Sequence, residues 1–144
     1  MHTYTATIGR NISAAHPTRA HQPLTLTEWE DFILAVVEDM RASAETSSYG
    51  AEMTIEVHRG KGMWNGVEEE SAKIALLVEE SLTDHAYAML LGCLKFDARQ
   101  YGQDAIAFVT GESELIEPDA PRNLPATLIN GEKVGPAVIL GEVG

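Results

Sequence analysis

The order of two hydrophobic periods along the chain is the feature that most constrains its fold. A period of two residues indicates a strand with one buried face, and a period of three to four residues indicates an amphipathic helix. Apolar side chains fit strands in four segments, residues 3–8, 51–58, 71–79 and 103–110. They follow the helical period in two segments, residues 29–40 and 86–98. The chain is therefore predicted to run strand, helix, strand, strand, helix, strand.

Capping residues indicate where the two helices begin. Thr27 with Glu30 fits a capping box for the first helix, and Thr25 with Glu28 offers a second register. Thr83 is in the right place to cap the second helix. These signals place both helix starts next to polar loops.

The second and third strand segments are joined by a glycine-rich connection. Residues 59–66 contain three glycines, and Trp64 among them is expected to be exposed. The following segment, residues 71–79, is apolar on both faces, which is typical of a central strand. Trp29, by contrast, lies on the apolar face of the first helix and is expected to be a core anchor.

This succession of elements predicts an α+β, ferredoxin-like βαββαβ fold. With right-handed crossovers, the strands form an antiparallel sheet of order 4-1-3-2 with two helices on one face. The other face is left bare, and we expect Ala75, Leu77, Ile106 and Phe108 to occupy it. An uncovered apolar face commonly marks an interface. We therefore expect either a homo-oligomer packed sheet to sheet or a C-terminal tail folded across this face.

The composition changes after Gly111. A ferredoxin-like domain is predicted for residues 1–111, followed by a Pro- and Gly-containing extension over residues 112–144. Prolines mark a linker within 117–125, and Asn130-Gly131 is a favourable two-residue turn for a late hairpin. We expect the extension to pack on the domain or on a neighbouring subunit.

The net charge restricts the classes of partner. The chain carries 10 Lys and Arg against 22 Asp and Glu, a formal charge of −12. A phosphate-binding surface carries the opposite sign, so we expect no direct nucleic-acid partner. Two interpretations of the acids remain: they keep the protein in solution, or they make it a decoy that occupies the basic groove of a nucleic-acid-binding protein.

The sequence shows neither a membrane-spanning segment nor a signal peptide. No apolar run approaches the roughly 20 residues that span a bilayer, and residues 1–8 lack the basic start and apolar core of a signal peptide. The single cysteine, Cys93, has no partner for an internal disulfide and lies on the apolar face of the second helix. We therefore expect a cytoplasmic protein with no membrane partner.

Most of the unexplained polar and aromatic residues gather at one rim of the predicted sheet. Strands 1 and 2 end at the rim where strands 3 and 4 begin, so the loops at these ends meet there. We predict a binding site of nine residues: Arg10, Asn11, Lys61, Trp64, Glu69, Glu70, Tyr101, Gln103 and Asp104. The start of the first helix lies at the same rim and adds a partial positive charge.

Motifs of catalysis are absent from the sequence. It contains no P-loop, nucleophile elbow, CxxC, HExxH or EF-hand, so we predict no cofactor and no metal and name no catalytic residue. Glu69 or Glu70 suits general acid–base chemistry if it is buried beside an apolar wall such as Trp64. The alternative is a salt bridge from this acidic pair to Arg10 that fixes the rim.

Four short motifs carry a resemblance to a known family. They are Thr5-Ala-Thr-Ile-Gly-Arg10, Trp29-x-x-Phe32, Gly62-Met-Trp64 with Glu69-Glu70-Ser71, and Tyr101-Gly-Gln-Asp104. In these motifs the chain resembles a family of small bacterial and phage-encoded proteins of unknown function. The resemblance covers residues 3–110. It implies a ferredoxin-like fold and no known activity.

Three functional hypotheses follow, in order of preference. The first is a small soluble binding protein, inhibitory or sequestering and of phage origin, that holds a small molecule or a partner loop at the rim of Arg10, Trp64 and Asp104. The second is a small enzyme of the dimeric α+β barrel type, with Glu69 or Glu70 as acid or base. The third is the acidic decoy of a nucleic-acid-binding protein.

Overall fold

The computed structural model of the chain describes residues 1–48, 52–64 and 66–112. Its elements are β1 (His2–Gly9), α1 (Leu26–Ser48), β2 (Met53–Trp64), β3 (Val67–Val78), α2 (Asp84–Gln100) and β4 (Ala107–Glu112). The predicted succession of strands and helices is confirmed.

The strands of the described residues form one antiparallel sheet. Its order is β2-β3-β1-β4, which is the predicted order 4-1-3-2 read from the opposite edge. β3 pairs with β2 on one side and with β1 on the other, and β4 extends the sheet beyond β1. The α+β, ferredoxin-like fold class is confirmed.

The core lies between the sheet and the two helices. Side chains on one face of β1 and β3 are buried against it: Tyr4, Ala6, Ile8, Ala72, Ile74, Leu76 and Val78. In α1, the side chains of Phe32, Val36 and Met40 are fully buried. Burial of each such side chain contributes roughly 1.5–3 kcal/mol to the stability of the fold. Trp29 is 2% exposed and packs edge-on against Phe32, as expected of a core anchor. In the part of the chain that the structure describes, no helix is long and apolar enough to cross a membrane.

A capping box begins α1, in the second of the two predicted registers. The Thr25 hydroxyl accepts a hydrogen bond from the Glu28 N–H at 3.2 Å, and the Glu28 carboxylate accepts one from the Thr25 N–H at 2.9 Å. The register with Glu30 is wrong, since that side chain instead forms a salt bridge with Arg59 of β2 at 2.6 Å. Thr83 caps α2 as predicted, accepting a hydrogen bond in its first turn.

The hairpin between β2 and β3 differs from its prediction. Residues 59–64, expected as a connection, are the second half of β2 and stay paired with β3 up to Trp64 and Val67. Gly66 follows with φ 79°, a left-handed conformation that suits glycine. Continuous pairing of two 12-residue strands outweighs the low strand propensity of the glycines.

The fourth strand begins later than predicted and presents its faces the other way round. β4 starts at Ala107 rather than Gln103, because residues 103–106 form an irregular connection after the turn that ends α2. Phe108 packs against Tyr4 and Tyr87, on the helical side. The predicted places of Ile106 and Phe108 on the bare face were wrong, because both pack against the core. Val109 points to that face instead and is 66% exposed.

The face of the sheet opposite the helices, which we call the open face, includes Ala75 and Leu77 as predicted. Register places Thr3, Thr5 and Val109 on the same side. Both helices of the described part of the chain pack on the opposite face of the sheet. Residues 113–144 lie outside the described part of the chain, so the domain boundary after residue 111, the Asn130-Gly131 hairpin and the covering of this face stay predictions.

Candidate functional site

A groove lies on the open face at the rim where β1 and β2 end. We call it the rim groove. Its volume is about 400 Å³, and three pieces of chain form it: the tip of the β2–β3 hairpin, the loop after β1 and the turn before β4. The predicted residues Asn11, Trp64, Glu69, Gln103 and Asp104 line it. The rim therefore brings together five of the nine residues that the sequence singled out.

An apolar wall on the hairpin side is exposed to solvent. Trp64 is 47% exposed, and Met63 and Val67 beside it are exposed as well. The indole N–H of Trp64 donates a long hydrogen bond of 3.4 Å to the Asp104 carboxylate on the opposite wall. The Ser13 hydroxyl donates to the other oxygen of that carboxylate at 2.5 Å. These contacts connect the hairpin wall to the wall that carries Asp104.

Glu69 lies between the walls in a fixed position. Its Oε2 accepts a hydrogen bond from the Asn11 backbone N–H at 2.7 Å. Its carboxyl also lies directly over Gly9, where a Cβ would come within 2.2 Å of Oε1. Burial raises the pKa of this carboxyl, and the Asn11 hydrogen bond opposes part of that rise. Glycine at position 9 is thus what allows Glu69 to fold down onto the sheet.

Ser71 is the buried polar residue of the groove. It is 5% exposed, and its hydroxyl has no hydrogen-bond partner in the described part of the chain. In the sheet it pairs with Gly9 on one side and Gly60 on the other, so no side chain flanks it in the neighbouring strands. A buried hydroxyl without a partner costs roughly 1–3 kcal/mol, and this one lines a groove.

The turn before β4 is held by Gln103. Its side-chain amide donates to the Asn11 carbonyl at 3.3 Å and to the Tyr101 carbonyl at 3.1 Å. This contact ties the turn to the loop after β1. Gln103 and Ser13 are therefore supports for Asp104.

The remaining predicted residues lie on the helical side of the rim or at its edge. Arg10 forms a salt bridge with Glu70 at 3.1 Å and donates from Nε to the Leu24 carbonyl at 2.8 Å. Lys61 reaches Glu68 at 3.5 Å, and both are largely exposed. None of these side chains lines the groove. The salt bridge that we set against an acid–base role is present for Glu70.

Tyr101 packs into the core side of the rim. Its ring stacks on Phe32 with centroids 4.6 Å apart and planes 13° apart. Burial raises the pKa of its hydroxyl, with nearby carboxylates adding to the effect. It lines a separate depression on the helical side, beside Arg19 and Glu28, rather than the rim groove.

The electrostatic character of the groove is acidic. Its lining includes two carboxylates, Glu69 and Asp104, and neither Lys nor Arg among the described residues. Cations are thus favoured over anions within it. Among the described residues, no group of three or more acidic, His or Cys side chains is arranged to hold a metal ion.

Sequence reasoning missed three contributors to the groove. They are Gly9, Ser13 and Ser71, none of which is among the nine predicted site residues. The signal for Ser71 was its spacing: it lies two residues from Glu69 and so shares its face in a strand.

Comparisons with known proteins give structural likeness only. No family model matches the chain, and neither does any curated protein. Two solved structures are similar to it. A phage SAM lyase in complex with S-methyl-5'-thioadenosine has a TM-score of 0.45 and 16% identity, over 77% of this chain and 80% of that one. A phage SAM lyase in the apo state has a TM-score of 0.40 and 17% identity, over 81% and 92%. The proposals below rest on the groove itself.

Proposed function

We propose that this protein binds a small organic cation with an apolar or aromatic part in the rim groove. The observation that carries the proposal is the lining: two carboxylates and an exposed indole face one cavity that has no lining Lys or Arg among the described residues. Indole faces attract cations, and carboxylates in a partly buried site strengthen that attraction. A volume of about 400 Å³ is in the range of small-molecule sites.

The preferred hypothesis from the sequence is thereby narrowed. Its Trp64 and Asp104 remain in the site, while Arg10 serves the salt bridge to Glu70. We favour a small molecule over a partner loop, because a volume of about 400 Å³ is in the range of small-molecule sites. Sequestration of that molecule is the corresponding cellular role.

The test is a titration of the ¹⁵N-labelled full chain with benzylammonium, benzyl alcohol and benzoate at about pH 8. The chain has two tryptophans, so two indole N–H signals are expected, and Trp64→Phe assigns them. Benzylammonium should shift the Trp64 signal and leave that of the buried Trp29 in place. Benzoate should shift neither, because two carboxylates repel it. Equal response to all three probes, or to none, contradicts the proposal.

Matched variants separate the groove from the overall charge. Glu69→Gln should weaken benzylammonium binding by about tenfold, the effect of removing one charged partner from a partly buried site. Glu56→Gln makes the same change of charge at an exposed position of β2 that does not line the groove. Its affinity should stay within about twofold of the original chain, since long-range contributions of exposed charges are screened by salt.

One observation favours a second candidate function, an enzyme with Glu69 as acid or base. Burial raises the pKa of Glu69 next to an exposed indole, a common arrangement of general acids. Turnover of a bound amine, followed by NMR over hours and lost in Glu69→Gln, would establish it. Glu70 is less suited, because Arg10 holds it on the other side of the sheet.

Self-association and the decoy role remain further proposals with simple tests. The open face with Leu77 and Val109 is the expected surface between subunits, and light scattering of the full chain at micromolar concentration measures the oligomer. A decoy role predicts association with a basic partner that weakens steeply with salt.

A further inference from the structure

The floor of the rim groove offers hydrogen-bond acceptors close together. Glu69 and Ser71 are two residues apart on β3 and share the open face, which places their Cα atoms roughly 7 Å apart. Gly62 pairs with Glu69 and Gly60 with Ser71, so the neighbouring strand places no side chain beside either. On the β1 side, the space over Gly9 is occupied by the Glu69 carboxyl itself. The neighbouring strands thus place no side chain of their own directly beside Ser71.

Both side chains have unused capacity for hydrogen bonds. Glu69 receives the Asn11 N–H on Oε2, and no other described residue donates to its carboxyl. The Ser71 hydroxyl has no hydrogen-bond partner among the described residues, and the side chain is 5% exposed. Its oxygen is closed to solvent in the ligand-free chain, so a ligand reaches it only when neighbouring side chains of the groove move aside. A buried hydroxyl that lines a cavity and lacks a partner is a position where a ligand atom completes the hydrogen bonding.

The kind of group that completes them follows from donor and acceptor counts. An ionised carboxylate only accepts, and a serine hydroxyl accepts as well as donates. A ligand cation that carries N–H bonds can donate to both at once, whereas a quaternary ammonium can donate to neither. Cations with N–H bonds also gain the stronger, charge-assisted hydrogen bonds.

We infer that the ligand enters this floor with a cationic group that bears N–H bonds, a primary ammonium or an amidinium, which donates to Glu69 and Ser71 while its apolar part rests on Trp64. The inference rests on the proposed function and specifies its ligand. In the bound state, one N–H lies at Glu69 and another at the Ser71 oxygen.

The test compares two cations of equal charge on the full chain. Benzylammonium carries three N–H bonds and benzyltrimethylammonium carries none. Affinities are measured from the Trp64 indole signal at about pH 8. Benzylammonium should bind at least about tenfold tighter, the effect of one charge-assisted hydrogen bond.

Ser71→Ala separates hydrogen bonding from the larger size of the quaternary probe. It should weaken benzylammonium about fivefold or more and leave benzyltrimethylammonium within about twofold, because only the first donates to the hydroxyl. The variant removes an unpartnered buried hydroxyl, so the fold should be kept, which urea unfolding verifies.

The outcomes distinguish this inference from the proposed function. If both cations bind equally well, or if Ser71→Ala weakens both by the same factor, the inference is overturned and the cation site stands. If neither cation shifts the Trp64 signal, the proposed function itself fails. A preference for benzylammonium over benzyltrimethylammonium that is lost in Ser71→Ala supports both the proposed function and this inference.

Discussion

Replacing Asp97 with asparagine should stabilise this protein at alkaline pH. Asp97 on α2 is 6% exposed and faces Asp39 on α1, and one oxygen of each carboxyl is buried without a hydrogen-bond partner. Cys93 on α2 and Glu38 on α1 are the other titratable groups that act on Asp39. Burial first, and then Asp97, raise the pKa of Asp39 to about 8. The helix interface therefore holds a protonated carboxyl at neutral pH.

The sign of the pH dependence follows from this raised pKa. The ordinary pKa of an aspartate side chain is 3.8, and the pKa of Asp39 in the fold is about 8. The folded state thus binds a proton more tightly than the unfolded chain, so stability is fully present below about pH 4 and is lost as pH rises toward 8. At about 1.4 kcal/mol per pKa unit, the whole shift corresponds to roughly 6 kcal/mol. Asp39 is only partly buried, and solvent screening reduces this contribution to roughly 2 kcal/mol.

Asp97→Asn removes the negative charge beside Asp39 and supplies an amide N–H that donates to its carboxylate. We expect the variant to gain about 1–2 kcal/mol at about pH 8 and to match the original chain within about 0.5 kcal/mol near pH 5. Urea unfolding followed by circular dichroism measures both, with an unchanged m-value showing that the unfolded state is the same.

Asp84→Asn is the matched control for this change. Asp84 lies exposed in the first turn of α2, where a negative charge stabilises the helix. This variant should lose a few tenths of a kcal/mol and keep the pH dependence of the original chain. Destabilisation by Asp97→Asn at pH 8, or a rise in the stability of the original chain from pH 5 to 8, would refute the role of the Asp39–Asp97 pair.

Three further predictions concern the groove and the helices. Affinity for benzylammonium should increase as pH rises above the ordinary pKa range of carboxyl groups. The reason is that Glu69, whose pKa is raised, must ionise to attract the cation. Titrations at several pH values should show a smaller increase for Glu69→Gln. Gly9→Ala should displace the Glu69 carboxyl, lower the free energy of unfolding in urea by about 1–2 kcal/mol and weaken the binding of benzylammonium. Gly92→Ala is the control: a Cβ there would have no atom within 4 Å, so the variant should stabilise α2 by about 0.5–1 kcal/mol. Thr83→Ala should cost about 1 kcal/mol by removing the α2 cap, measured in the same unfolding assay.

The fold was predictable because its elements have clear periods. Each buried face of β1 and α1 follows its own repeat, and the handedness of crossovers then leaves one strand order. The face of β4 was not predictable in this way. Residues 105–109 are apolar on both faces of the strand, so the sequence pattern does not show which face is buried. A shift of one residue in the register exchanges the two faces. Only packing against Tyr4 and Tyr87 decides that Phe108 points to the helices.

The sequence predicts the location of the candidate site better than it predicts which residues line it. Topology alone gathers the loops at one rim. Which side of the sheet each residue takes depends on how far the hairpin strands extend. Because β3 begins at Val67 rather than Ser71, Glu69 and Glu70 alternate within a strand and point to opposite faces. An acidic pair in sequence is therefore two separate residues in space, one in the groove and one bound to Arg10.

Within residues 1–48, 52–64 and 66–112, buried polar atoms without partners lie in two places, and these differ in what can satisfy the atoms. At the helix interface, the proton that Asp39 retains reduces the cost, because the pKa of Asp39 is raised, and this relief depends on pH. At Ser71 no titratable change helps, since a serine hydroxyl does not ionise in this range, and its relief requires an atom that the described residues do not supply. A ligand that donates to Ser71 must then stabilise the fold by mass action. Ser71→Ala should unfold at a temperature no lower than the original chain without ligand, yet gain less from benzylammonium. Equal gains in the two proteins would mean that the hydroxyl takes no part in binding.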